Sequence, residues 1–220
     1  MRRGGLLRMR QEIAMTKILI VPGLFGSDEG HWQHYWLDDV PQSRLVDQDD
    51  WNHARLDRWM ERLEQALLEA GEAYIVAHSL GCILTARLAD RPLARRVKGA
   101  LLVAPCDLPA TERLHPGSLA FGPMPTNPLP FPGLTVGSLD DKYMSLDRLS
   151  FYTRLWKTEV RNIGLAGHIN IASGFGRWTG GYALFDAVKG KAKAKRPQIP
   201  TLAALPHRPD ILSRHAQETG

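Results

Sequence analysis

The stretch Ala73–Leu88, AYIVAHSLGCILTARL, is the one whose reading decides the fold. Tyr74, Ile75, Val76 and Ala77 form a short continuous apolar run, which suits a parallel strand covered on both faces. Cys82–Leu88 has helical composition and holds neither Gly nor Pro. Only His78, Ser79, Leu80 and Gly81 lie between them, too few for a relaxed loop. A chain that turns from strand to helix on one serine forces that serine into a strained, positive-φ conformation. Its hydroxyl then stands above the sheet, and the first helical amide is free to meet an oxyanion, here that of Leu80. Backbones crowd at such a turn, so the residues two before and two after the serine must be small. They are Ala77 and Gly81.

Ala-His-Ser-Leu-Gly is therefore a relaxed G-x-S-x-G, with alanine in place of the first glycine. A serine between small residues also makes a tight turn or a helix N-cap, so the rest of the chain has to decide between the readings.

The 220 residues suffice for one α/β domain with a sizeable core and are short for two. No apolar run approaches the ~20 residues that span a bilayer, so no membrane partner is expected. The arginines around Leu6 and Leu7 are not followed by the apolar stretch a secretory signal requires, which makes the cytoplasm the expected compartment. Two cysteines, Cys82 and Cys106, form no disulfide framework and read as small buried hydrophobes. The net charge of +5 sits at the ends: residues 1–16 carry +3 and 187–220 carry +5, which leaves the body, 17–186, at −3. A basic stripe for nucleic acid is not expected on the body.

Taken in order, residues 1–16 are basic and aperiodic, and are expected to be a disordered N-terminal extension. Lys17–Val21, KILIV, is a buried strand that runs into the glycine-bracketed turn Pro22–Ser27. The turn lacks G-x-x-x-x-G-K-[ST], and G-x-G-x-x-G is absent as well, so no nucleotide cofactor is expected. In a hydrolase of this architecture the loop after this strand supplies a second oxyanion amide. The residue after Gly23 is the natural donor, which selects Leu24, with Phe25 as the weaker candidate. Trp32 and Trp36 are four apart and anchor one helical face. His31 and His34 are three apart but have no third ligand at a suitable spacing, so no metal is expected.

Arg44–Asp47 is predicted as a short strand, and Trp51–Ala70 as an amphipathic helix ending at Gly71. A helix through Leu88 and a strand over Val97–Ala104 follow. Pro105–Pro132 carries eight prolines and no sustained period. It is read either as a polyproline-type connection over the sheet edge or as a non-helical cover for the active site. Leu134–Ser138 and Glu159–Ile163 are strands and Ser145–Leu155 is a helix. The loop Gly164–Asn170 comes next, then a glycine-rich turn and a last helix near Tyr182–Val188. One folded domain is thus expected over 17–188, with 189–220 a basic Pro/Lys/Ala-rich disordered tail.

This alternation gives an α/β fold: a doubly wound, mostly parallel sheet with helices on both faces and its working edge at the strand C-termini. Three candidates lie just after strands: Ser79, then Asp140 or Asp141, then His168. That order is the one expected of α/β-hydrolases. A serine hydroxyl is a poor nucleophile unless a base takes its proton, and a histidine does so near neutral pH. A carboxylate on the other ring nitrogen fixes the tautomer and stabilises the imidazolium. The other histidines suit the role less: His78 is expected to point away from the serine, His53 starts a surface helix, and His207 and His215 lie in the tail.

The segments VPGLFGSDEGHWQHYW, QDDW at Gln48–Trp51, VAHSLGC around Ser79, LPFPGLTVGSLDDKY and GHINIASGFGRW around His168 carry a resemblance. Together they resemble the small serine hydrolases related to retinoblastoma-binding protein nine, a minimal branch of the α/β-hydrolases without a large lid domain. The resemblance runs from about Lys17 to Phe185. It implies Ser79 as nucleophile, His168 as base and an acid second in an S-x-N-D-P-Y-like run, which falls on Asp141. Asp140 stands where that run has Asn, and Lys142 where it has Pro, so both carboxylates remain candidates with Asp141 preferred. The L-x-C-x-E pattern associated with the human relative's name does not occur around Cys82 or Cys106. The expectation is a cofactor-free serine hydrolase acting on a small ester, thioester or amide. The alternatives are an interaction module on a hydrolase scaffold and nucleic-acid binding through the basic tail.

Overall fold

The computed structural model describes residues 17–195. The expectations for 1–16 and for 196–220, including His207 and His215, lie outside the described residues.

Among these residues a six-stranded, all-parallel sheet has the order Ser43–Leu45, Lys17–Val21, Ala73–His78, Val97–Val103, Gly133–Gly137, Glu159–Asn162. Its strands are β1 (Lys17–Val21), β2 (Ser43–Leu45), β4 (Ala73–His78), β5 (Val97–Val103), β7 (Gly133–Gly137) and β8 (Glu159–Asn162). The side-chain period of two sorts the apolar runs onto two faces. Ile18, Ile20, Tyr74, Val76, Leu101 and Val103 pack on one side with Trp32 and Trp36 of α1 (Trp32–Asp39) and Phe185 and Val188 of α6 (Gly180–Lys195). Leu19, Val21, Ile75, Ala77 and Leu102 pack on the other. There they meet α2 (Leu56–Ala70), α3 (Leu80–Arg87) and α5 (Leu146–Trp156) through Trp59, Leu63, Ile83, Leu149 and Trp156. The sheet is doubly wound, with helices on both faces, as expected. β8, Glu-Val-Arg-Asn, is exposed throughout, and its charged residues suit a strand at the sheet edge.

From β1 the chain steps outward to β2, then returns to lay β4 on the other side of β1. Connections therefore diverge between β1 and β4, and the crevice at their carboxyl ends is where a doubly wound sheet receives ligands. Among the described residues no large lid domain covers this edge, and no helix is long and apolar enough to cross a membrane.

Three expectations are corrected. The helix expected from Trp51 begins at Leu56, because the Asp50 carboxylate accepts the amides of Asn52 and His53 in a turn. Ala54–Arg55 (β3) then pairs with Leu119–Ala120 (β6) as a separate parallel ribbon. The segment Pro105–Pro132 is not free of helix: Leu108–Leu114 forms α4. Pro109 falls in its first turn, where the missing N–H has no helical acceptor to lose. Finally, α6 continues past Val188 to Lys195, through alternating Lys and Ala that favour helix.

Candidate active site

Ser79 joins β4 to α3 at φ 52° and ψ −120°, the strained turn foreseen from its spacing. A Cβ on Gly81 would lie 2.3 Å from the Val21 carbonyl oxygen and 2.5 Å from that of Pro22, so only glycine fits against the end of β1. Leu80 is the first residue of α3, and its N–H has no carbonyl one turn back within the helix.

The Ser79 hydroxyl lies 2.8 Å from His168 Nε2. On the opposite ring edge, His168 Nδ1 is 2.8 Å from Asp141 Oδ2 and 3.0 Å from Oδ1. These side chains come from turns after β4, β7 and β8, and all three are buried. With Nδ1–H donating to the carboxylate, Nε2 carries a lone pair towards the serine proton, the arrangement that general-base activation needs.

Asp140, the rival carboxylate, does not touch the imidazole. It is exposed, and its Oδ1 accepts from the Ser138 hydroxyl at 2.6 Å and from the amides of Ala166 and Gly167 at 2.9 and 2.8 Å. The Ser138 hydrogen bond, foremost, and these amides hold its carboxyl below the usual carboxylate range. Asp140 clamps the loop that delivers His168. Trp32 Nε1–H and His78 Nε2–H secure the same loop from the other side, donating to the carbonyls of Ile169 and His168 at 2.9 Å each. His78 thus faces the imidazole's own backbone, not the serine.

The loop after β1 lies directly on Ser79: a Cβ on Gly23 would be 2.7 Å from that of Ser79. The Phe25 amide is already spent on the Trp51 carbonyl at 2.9 Å, which removes the weaker oxyanion candidate. Leu24 lines the cavity together with Ser79. Sequence reasoning missed the residue that fixes this loop, Gln33. Its buried amide donates to the carbonyls of Val21 and Val76, one from each strand beside the crevice, and its oxygen accepts from the Ser27 hydroxyl. A polar residue between Trp32 and Trp36 on a helix packed against the sheet was the available signal.

Above Ser79 lies a cavity of about 280 Å³. Thr111 and His115 from α4 and its C-cap line it, with Tyr143 hydrogen-bonded to His115 at 2.9 Å, so the proline-rich segment forms part of the cavity wall. Burial, then the charge of His168, lowers the pKa of His31 to about 4, and burial likewise puts His78 well below its usual range. Burial pushes the Cys106 thiol up to about 12 and raises that of Cys82, in keeping with their expected role as packing residues. His31 caps α1 through Nδ1, His34 is half-buried, and no cluster suited to a metal occurs among the described residues.

A family model described as serine hydrolase matches residues 18–187. The chain is similar to the structure of a YdeN-like hydrolase from Pectobacterium atrosepticum, at 28% identity and a TM-score of 0.71, over 84% of this chain and 97% of that one. The ydeN gene product of B. subtilis matches at 18% identity and 0.62, over 80% and 100%. A thermophilic esterase from Thermogutta terrifontis matches at 15% and 0.55, over 81% and 90%. The latter two likenesses bear on the fold alone. No curated protein matches the chain.

Proposed function

The chain belongs to the serine hydrolase family, and from that premise we propose that it cleaves a small ester, thioester or amide through an acyl-enzyme. Ser79 Oγ attacks the substrate carbonyl carbon as its proton passes to His168 Nε2. Asp141 holds the imidazole in the required tautomer and stabilises the imidazolium. The amides of Leu80 and Leu24 receive the oxyanion. Collapse of the tetrahedral intermediate expels the leaving group, which takes the proton back from His168. Water, deprotonated by the same imidazole, then releases the acid and restores the serine.

The observation that carries this reading is the unbroken chain of contacts from the Ser79 hydroxyl through His168 to Asp141, 2.8 Å at each step. The cavity supports a small, uncharged substrate: the residues that line it include one carboxylate, Asp28, and neither Lys nor Arg. Within the family, the segments quoted above favour the branch related to retinoblastoma-binding protein nine. The proposed enzyme is cytoplasmic, needs no cofactor and has no nucleic-acid partner, in keeping with a body of charge −3. A fluorophosphonate probe tests the proposal. Covalent labelling that maps to Ser79 and disappears in Ser79→Ala, together with turnover of short p-nitrophenyl esters, is the expected result. An intact, folded protein that neither labels nor hydrolyses any ester, thioester or amide of a panel overturns it.

A further inference from the structure

His31 is buried, 5% exposed, in the wall of the cavity that holds Ser79, yet it has no part in the proton relay described above. Its ring packs against His78 and Trp32, with centroids 4.9 and 5.4 Å apart, which leaves it little freedom to turn. At the N-terminus of α1, its Nδ1 accepts the backbone N–H of Gln33 at 3.2 Å. An imidazole that accepts at Nδ1 while neutral must carry its proton on Nε2. Burial keeps the ring neutral, with a pKa lowered to about 4. Nε2 has no hydrogen-bond partner among the described residues. Nor is it among the side-chain atoms that are both buried and unbonded, so it keeps some accessible surface on a residue that lines the cavity.

We infer that His31 Nε2–H is a substrate-binding donor, and that the natural substrate carries, besides the scissile carbonyl, a second uncharged hydrogen-bond acceptor that this donor receives. The inference rests on the hydrolase reading and deepens it. A fixed N–H in a small cavity favours a group that accepts from it over an apolar isostere, since the isostere leaves the donor without a partner. The absence of Lys and Arg from the lining makes the acceptor an ether, hydroxyl or carbonyl oxygen in preference to a carboxylate or phosphate.

The test compares isosteric ester pairs in which one oxygen replaces one methylene. On the acyl side the pair is p-nitrophenyl methoxyacetate and p-nitrophenyl butyrate. On the alcohol side it is 2-methoxyethyl acetate and butyl acetate. The ratio of kcat/KM within each pair is measured for the parent protein and for His31→Asn and His31→Phe. Asn keeps an acceptor for the α1 cap but is too short to present the donor, so it guards against a folding defect. Intrinsic reactivity differences cancel when each ratio is compared between parent and variant. The expected result is that both variants lower the ether-to-methylene ratio about two- to tenfold in one of the pairs, which also tells which end of the substrate His31 meets. Ratios that neither variant moves in either pair overturn the inference and leave the hydrolase reading standing. A parent protein inert towards every ester and towards the fluorophosphonate overturns both.

Discussion

Replacing Asp141 by Asn separates the two adjacent carboxylates most sharply. In the parent protein Asp141 only accepts, so His168 keeps its proton on Nδ1 and offers a lone pair at Nε2 to Ser79. The isosteric amide can turn its NH2 towards Nδ1, which then becomes the acceptor and moves the ring proton to Nε2. The proposed base is thereby blocked with almost no change of shape. Loss of a correctly held tautomer lowers kcat by about 10⁴-fold, equivalent to about 5.5 kcal/mol of transition-state stabilisation. Asp140→Asn is the matched control. Its amide oxygen can still accept from Ser138, Ala166 and Gly167, so kcat/KM is expected to stay within about tenfold of the parent. The assay is hydrolysis of a short p-nitrophenyl ester, with the rate of fluorophosphonate labelling as an independent reading of Ser79 nucleophilicity and thermal melts to show that both variants fold. An active Asp141→Asn beside an inactive, folded Asp140→Asn would refute the assignment and the tautomer reasoning with it.

Two further outcomes follow from contacts around the same crevice. Gly81→Ala drives a Cβ into the carbonyl oxygens of Val21 and Pro22; it should cost about 1–3 kcal/mol of stability in urea melts and slow labelling of Ser79 about 100-fold as the elbow shifts, and a variant with parent-like melting and labelling would contradict the crowding. His31 stays neutral in the folded protein down to about 4, against 6.5 for the ordinary side chain; between those values the unfolded chain takes up the proton first, so falling pH destabilises the fold by about 1.4 kcal/mol per pH unit from this group, and His31→Asn should show a correspondingly shallower fall in urea stability from pH 6.5 to 4.5, whereas an unchanged slope would contradict a buried neutral ring.

The elements that the sequence foretold are those governed by local rules. The run Tyr74–Ala77, the single-serine turn and the small residues at 77 and 81 constrain one another over a few positions, and the turn forms as they require. Boundaries moved where a distant segment intervened. Nothing near Trp51 announces that Ala54–Arg55 will pair with Leu119–Ala120, sixty-odd positions away, and delay the helix to Leu56. The helix Leu108–Leu114 was hidden for a different reason: seven residues among prolines are too few for a period to emerge.

By itself the sequence determined a parallel α/β sheet, a serine on a strained elbow, and a carboxylate and a histidine each placed after a later strand. Strand and helix periods and turn sterics operate between near neighbours, so they can be read along the chain. Only the tertiary structure separates the surroundings of Asp140 and Asp141, which share a turn: one reaches the backbone of the His168 loop and the other its ring. It alone decided that Phe25 donates to Trp51, that Gln33 ties β1 to β4, and that His31 faces the same cavity as Ser79. The direction of a side chain and the partner it finds depend on atoms that strand pairing brings together from far along the chain, and no spacing in the sequence encodes them.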